Sequence, residues 1–306
     1  MTRAERLVGD APGFRLDQFL ALRRPDVSRS HWKALIAAGA VTVEGKTRSA
    51  DYKLRGGEII RVSHPRSAWA DEDVLAERIL HEDAQLLVLD KPAGLLMHPL
   101  GGTWLKRPDA ALIEPEPNLA GLLQVMRPAL AQVWRCGIVH RLDRQTSGVL
   151  LVAKTAEAQR RLLADFKERR ISKLYRAIVR GVPAQRSTRV EAPIGRKPGH
   201  RKIIVTPFGK AAETSFKVVE SCARAAIVEA RPLTGRTHQI RAHLALMEHP
   251  VVGDVEFDKP GSGLWPPRML LHAHEISLRH PGSGKPVSFR APAPKDFRDY
   301  WASCLG

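Results

Sequence analysis

A chain of 306 residues with 43% hydrophobic content is long enough for one large domain and a small one, or for two of middling size, around a packed core. No stretch approaches the roughly 18 unbroken apolar residues that span a bilayer, and "MTRAERLVGDAPGF" has no apolar h-region, so a cytoplasmic protein is expected and not a membrane or secreted one. The net charge of +17 is dispersed along the chain; a folded protein this basic meets a polyanion, and without a basic amphipathic helix bearing a broad aromatic face that polyanion is nucleic acid and not an anionic membrane.

From the N-terminus, "FRLDQFLALRRPDVSRSHWKALIAAGAVTVEGK" predicts two short helices and a hairpin. Phe14, Phe19 and Leu20 supply an apolar face, Ser28 or Ser30 caps the second helix, and Trp32, Leu35 and Ile36 line it as far as Gly39. "VTVEGKT" alternates around a Glu-Gly turn, and "LRGGEIIRV" gives a Gly-Gly turn and another strand. Residues 14–63 carry five more Lys/Arg than Asp/Glu, a high surplus for so small a unit. In this order of parts the stretch resembles the S4 RNA-binding domain. The resemblance implies an RNA grip through Arg15, Arg23, Arg24, Arg29 and Lys33.

Residues 64–78 show no period and read as a linker, and residues 79–306 as a second domain. It opens with "LLVLDKPAGLLMHP", a buried strand ended by Pro92 and Gly94 and resumed as a second apolar run. The proline-rich segment 99–135 reads as an irregular excursion with a helix near its end. The run Val149–Val152 is a buried strand, and Thr155 caps a helix to about Arg169 with Leu162, Leu163 and Phe166 facing in. "KLYRAIVRG" and "AAIVEARPL" are strands, "RKPGHRKI" is a basic loop, and "HQIRAHLALM" is a helix with Ile240, Leu244 and Met247 on one face. Strands and helices without a βαβ rhythm predict an α+β fold with a mixed, mainly antiparallel sheet.

Several chemical signals fail on inspection. "GSGKP" has Pro286 where a phosphate-binding loop needs Ser or Thr, and "DVEFD" (Asp254–Asp258) has Lys259 and Trp265 where a calcium loop needs glycine and glutamate. His238 and His243 are five apart and share no helical face, and Cys136, Cys222 and Cys304 form no CxxC pair, so reduced thiols, no metal and no cofactor are expected. Three polar residues on otherwise apolar elements remain. Asp143 precedes its strand, Tyr175 shares a strand face with Ala177 and Val179, and Arg241 lies one turn from Leu244. Singly, each is better read as an ion pair, a core tyrosine and a snorkelling arginine.

Their surroundings change that. "DKPAGLLMHP", "GIVHRLDRQTSG", "KLYRAIVRG" and "RPLTGRTHQIRAHL", in chain order, and the tail "LLHAHEISLRHPGSGKPVSFRAPAPKDF" resemble the signatures of the RluA-type pseudouridine synthases from about residue 78 to 299. The resemblance implies a cofactor-free enzyme, working as a monomer, that detaches uracil from ribose C1′, turns it and rejoins it through C5. It implies that Asp143 is the catalytic carboxylate, that Arg241 is its ion-pair partner, and that Tyr175 stacks on the base or accepts a proton. Burial would raise the pKa of such a carboxylate, so a nearby cation is required. Arg141 then assists extrusion of the nucleotide, with His140, Arg144, Thr146, Arg236, His238 and Gln239 as further substrate contacts. Lys173, Arg196, Lys197, Arg201 and Lys202 are expected to hold the phosphate backbone. The layout implies large-subunit ribosomal RNA as substrate. The alternatives are a transfer-RNA-directed synthase, a non-catalytic ribosome-associated S4 protein, and an RNA N-glycosidase that releases free uracil. The excursion at 101–118 departs from the common pattern.

Overall fold

The computed structural model describes residues 4–24, 29–37, 39–63, 75–99, 103–106, 108–112, 116–196, 202–259 and 265–305. The chain divides into two compact units, Met1–Glu77 with Leu96–Gly137, and Arg78–Leu95 with Ile138–Gly306.

The first unit begins with β1 (Ala4–Gly9), α1 (Leu16–Arg23), α2 (Arg29–Ala37), β2 (Val41–Val43), β3 (Lys46–Thr47) and β4 (Glu58–Ser63). The four strands form an antiparallel sheet in the order β1-β4-β2-β3. The helix pair and the hairpin stand where the sequence places them. Glu44 and Gly45 both take positive φ, 50° and 73°, the twist that a two-residue hairpin demands. Phe19, Leu20, Trp32, Leu35 and Ile36 are buried together with Val41, Ile60 and Val62. Phe14, expected on that face, is exposed, because it precedes the helix. Ser28 and the side chain of Ser30 lie outside the described residues. Strand β1 was not foreseen: "AERLVG" has no apolar alternation, and it forms by pairing with β4 over Ala4–Gly9. In the excursion, α3 (Thr103–Lys106) is followed by α4 (Leu119–Met126), whose Asn118 cap accepts a hydrogen bond from the Gly121 N–H at 3.0 Å.

The second unit is built on β5 (Ile79–Glu82), β6 (Leu86–Lys91), β7 (Ser147–Ala153), β8 (Ser172–Arg180), β9 (Ser187–Glu191), β12 (Glu213–Ser221), β13 (Ala225–Pro232), β14 (Leu271–Arg279) and β15 (Pro286–Arg290). A separate hairpin joins β10 (Ile194–Arg196) to β11 (Ile203–Val205). The main sheet runs β5-β6-β7-β14-β8-β13-β12-β9, with β15 beside β14. Only β7 and β14 pair in parallel; the other contacts are antiparallel. The fold is α+β, as expected. The second apolar run, Gly94–Met97, is not a strand of this sheet.

Three helices cover the sheet: α5 (Ala156–Lys167), α6 (Gln239–Leu246) and α7 (Lys295–Leu305). The Thr155 hydroxyl caps α5 by accepting from the Ala158 N–H at 3.1 Å, and Leu162 packs on Leu86, Val88, Val149 and Leu151. Ile240 and Leu244 of α6 pack on Ala177, Val179 and Val228. Phe297 and Trp301 of α7 pack on Ile178, Ala225 and Ile227. Strand β7 is buried along its whole length, so the turn before it stands at the edge of the core. Gly148 fixes that turn: its φ is +112°, and a Cβ there would lie 2.1 Å from the Ala273 carbonyl oxygen of β14. Among the described residues no helix is long and apolar enough to cross a membrane.

Candidate active site

A cavity of about 530 Å³ opens within the second unit. Three elements meet there: the segment before β7, which brings Arg141 and Asp143; β8, which brings Lys173 and Tyr175 on one face; and the loop from β13 with the first turn of α6, which bring His238 and Arg241. Arg141, Lys167, Arg169 and Arg236 line its exposed rim, and among the described residues Asp143 is its one acidic residue.

Asp143 and Arg241, 98 positions apart in the chain, are joined here. Arg241 Nη1 donates to Asp143 Oδ2 at 3.2 Å. The arginine is held far more firmly by Asp254, through Nε to Oδ2 at 2.6 Å and Nη2 to Oδ1 at 2.7 Å, and it also donates from Nη2 to Glu256 Oε2 at 2.7 Å. Burial alone would lower the pKa of Arg241, but the bond to Asp254 and then the charge of Asp143 outweigh it and push it up. The guanidinium is therefore a permanent cation whose direction is set by Asp254. Asp143 is about one-fifth exposed, not sealed from water as expected. One carboxylate face turns to Arg241 while solvent and the cavity reach the other.

Asp254 and Glu256 belong to "DVEFD", which sequence reasoning weighed only as a failed calcium loop. Its third acid, Asp258, accepts from Arg180 Nε and Nη2, both at 2.7 Å. The signal available was electrostatic: acids at alternate positions in a chain of net charge +17 are arginine partners first.

Lys91 is a second residue that sequence reasoning missed. It closes the apolar strand β6, is 1% exposed, and donates to the carbonyl oxygens of Pro92 (2.7 Å), Thr146 (3.0 Å) and Arg144 (3.2 Å). Burial pushes its pKa down to about 7, with the charge of Asp143 acting the other way. The three carbonyls anchor the Asp143–Thr146 turn, which Thr146 closes by donating its N–H to the Asp143 carbonyl at 3.0 Å.

The remaining expected residues sort by what they touch. Tyr175 lies on the cavity wall, and its phenol is kept protonated by burial and then by the Asp143 charge, which favours stacking over proton acceptance in the resting site. His140 lines the cavity but is committed: Nε2 accepts the Leu151 N–H at 2.9 Å, the ring lies 5.0 Å from Phe166, and burial pushes its pKa down to about 3. His238 starts α6 at φ 54°, with Nε2 3.9 Å from Asp143 Oδ1 and Nδ1 3.1 Å from Glu256 Oε2 in a direction unsuited to a hydrogen bond. Gln239 is saturated, its amide donating to the Glu213 carbonyl and Thr214 hydroxyl and accepting from the Thr234 hydroxyl and Arg236 N–H. It braces the loop and has no free group for a substrate. Thr146 lines the cavity with a buried hydroxyl that has no partner among the described residues. Arg144 is not among the residues that line the cavity, and its Nε donates to the Gly94 carbonyl at 3.1 Å.

Of the expected backbone contacts, Lys173 lies half-buried in the cavity wall, because its strand position puts it on the face of Tyr175. Lys202 donates to the Glu256 carbonyl at 2.6 Å and lies over Phe257, which ties it to the Arg241 cluster. Arg196 is exposed at the end of β10; Lys197 and Arg201 lie outside the described residues. In the first unit Arg15 and Arg29 both pair with Asp17, at 3.1 and 2.9 Å, Arg23 pairs with Asp10, Lys33 stays half-exposed, and Arg24 is half-buried.

Among the described residues one group could offer ligands to a metal: His81, Asp83 and His280, none of which lines the cavity. His280 Nδ1 accepts the N–H groups of Gly282 and Ser283, so Nε2 carries the proton that it donates to Asp83 Oδ2 at 2.8 Å. The other Asp83 oxygen accepts from Gln85 and Leu86. His81 Nε2 also lies 2.9 Å from Asp83 Oδ2, so the carboxylate is shared by two imidazoles and two backbone N–H groups and braces the two turns.

Comparison with known proteins places this geometry. The family described as RNA pseudouridylate synthase matches residues 85–246, and the S4 domain matches residues 14–60. The chain is 39% identical to the ribosomal large subunit pseudouridine synthase D of Neisseria meningitidis serogroup A, covering 93% of this chain and 77% of that protein. It is 34% identical to the ribosomal large subunit pseudouridine synthase C of Vibrio parahaemolyticus, covering 92% and 90%. Among solved structures, human RNA pseudouridylate synthase domain containing 1 covers 71% of this chain and 83% of its own, with 28% identity and a TM-score of 0.56.

Proposed function

The chain belongs to the RNA pseudouridylate synthase family, and from that premise we propose that it isomerises uridines of large-subunit ribosomal RNA, as a cytoplasmic monomer, with Asp143 as the catalytic carboxylate. The substrate follows the names of its relatives, and a net charge of +17 suits a polyanion. The reading rests above all on Asp143: the one carboxylate that lines the cavity among the described residues, oriented by an arginine that other acids hold in place.

In this reading residues 14–63 grip the RNA and residues 79–306, beyond a linker at 64–78, perform the reaction. Arg141, exposed at the rim, takes the place of the target nucleotide in the stack as it swings into the cavity. The uracil lies on the Tyr175 ring. The Asp143 carboxylate attacks C1′ or removes the C2′ proton, and the C1′–N1 electron pair stays with the base. The base turns and C5 bonds to C1′ as the bond from C1′ to Asp143 breaks or, on the second route, as Asp143 returns the proton to C2′; the C5 proton then leaves and N1 gains one. Arg241 keeps Asp143 charged and aimed, while Arg236 and Thr146 contact the nucleotide.

The test is to map pseudouridines in ribosomal and transfer RNA from cells with and without the gene, and to repeat the conversion with purified protein. Sites lost from large-subunit ribosomal RNA, and restored in vitro, are expected. Losses confined to transfer RNA, or release of free uracil, would overturn the assignment.

A further inference from the structure

The breaking of the C1′–N1 bond leaves a negative charge on uracil, shared by N1, O2 and O4, and something in the cavity must meet it. Arg241 is spent on three carboxylates, Asp143, Asp254 and Glu256. His140 is neutral and bonded to the Leu151 N–H. Tyr175 can donate one hydrogen bond but carries no charge. Arg141, Lys167, Arg169 and Arg236 are exposed at the rim, where phosphates pass and where water weakens any attraction.

Lys173 differs from all of these. It is half-buried, lines the cavity, and its side chain has no hydrogen bond or ion pair to any described residue. It stands two residues from Tyr175 on the same face of β8, about 7 Å along the strand. Its ammonium reaches under the loop that follows β13, where a Cβ on Gly235 would lie 3.9 Å from Nζ. Lys173, Tyr175 and Gly235 thus line the same cavity as Asp143.

Building on the function proposed above, we propose that Lys173 is the counter-ion of the detached uracil. Its charge meets the electron pair that the base retains when Asp143 attacks C1′ or removes the C2′ proton. The charge is needed only between cleavage of N1–C1′ and formation of C5–C1′; once N1 is reprotonated the base is neutral again. A pre-placed cation in a partly dry site stabilises such a transient anion more than the neutral bound substrate, which is the condition for raising the rate. Burial lowers the pKa of Lys173 in the resting site, so the free protein holds this ammonium at a cost that an anionic base relieves.

The experiment compares full-length wild type, Lys173→Met and Lys173→Arg on a large-subunit ribosomal RNA fragment that the wild type modifies. The target carries either uridine or 4-thiouridine, whose thiocarbonyl spreads the charge better while keeping the C5 proton. Single-turnover rates and RNA affinity are read on the same preparations. Lys173→Met is expected to slow uridine conversion on the order of 10²-fold, with affinity within about threefold of wild type. The loss shrinks on 4-thiouridine, and Lys173→Arg recovers most of the rate. An unchanged rate with weakened affinity makes Lys173 a phosphate grip, and an equal loss on both substrates makes it structural; either overturns the inference. A wild type that forms no pseudouridine in any RNA overturns the parent reading instead.

Discussion

Asp17 in the first unit and Asp143 in the second are both carboxylates met by arginine, and the way each is met differs. Asp17 is fully buried on α1, with Arg15, Arg29 and Lys33 converging on it from the surface at 3.1, 2.9 and 3.9 Å. There the acid is fixed and the cations are the mobile partners. At Asp143 the order is reversed. Arg241 is buried and pinned by Asp254, and the carboxylate receives one longer bond of 3.2 Å with a face open to the cavity. A cation anchored elsewhere leaves its acid free to react; an acid that anchors its cations has no lone pairs to spare.

The comparison can be broken first at Asp254. Asp254→Ala leaves the Arg241 charge buried against Asp143 and Glu256 alone, and should cost about 3 kcal/mol in unfolding free energy by urea titration. The redirected guanidinium should also lower turnover sharply. Retained stability and turnover would show that Asp143 needs no anchored partner.

Asp17→Ala is expected to cost less, about 1–2 kcal/mol, because Arg15, Arg29 and Lys33 are exposed enough to regain water. Turnover per folded molecule should not change. A loss of turnover larger than the loss of folded protein would tie Asp17 to the reaction.

Lys91 sharpens the contrast through pH. Its folded pKa is lowered to about 7 from an ordinary 10.5, so between those values the unfolded chain binds more protons and this lysine opposes folding less as pH rises. Wild type should gain on Lys91→Met as pH climbs from about 7 towards 10, by up to about 1.4 kcal/mol per unit. A difference that is flat with pH would mean that the three carbonyls hold the ammonium charged throughout.

The smallest effect is expected at Lys33. Lys33→Gln should weaken RNA binding a few-fold and flatten its salt dependence by about one unit of slope, with turnover at saturating RNA unchanged. A salt slope identical to wild type removes Lys33 from the RNA grip.

Much of this arrangement is legible in the chain because it rests on local pattern. The run Val149–Val152, the Thr155 cap and the alternation around Tyr175 each follow from neighbours in sequence, and β7, α5 and β8 form where they predict. What escapes is set by distant partners. Strand β1 has polar wording and forms through β4. The parallel pairing of β14 with β7 joins residues more than a hundred positions apart. The anchoring of Arg241 by Asp254 and Glu256 escapes because it joins residues 13 and 15 positions apart on different elements, and their spacing in the chain resembles a calcium loop. Lys173 was taken for a surface cation, although the strand period that turned Tyr175 inward turns Lys173 inward as well.

The most direct test is Asp143→Asn, with melting temperature, RNA affinity and pseudouridine formation measured on one preparation. The amide matches the carboxylate in size and Arg241 keeps Asp254, so stability should change by no more than about 1–2 kcal/mol. RNA binding should persist, and pseudouridine formation should fall to background, since among the described residues no second carboxylate lines the cavity to replace it. A variant that folds, binds and still converts uridine at more than a small fraction of the wild-type rate would contradict the role given to Asp143.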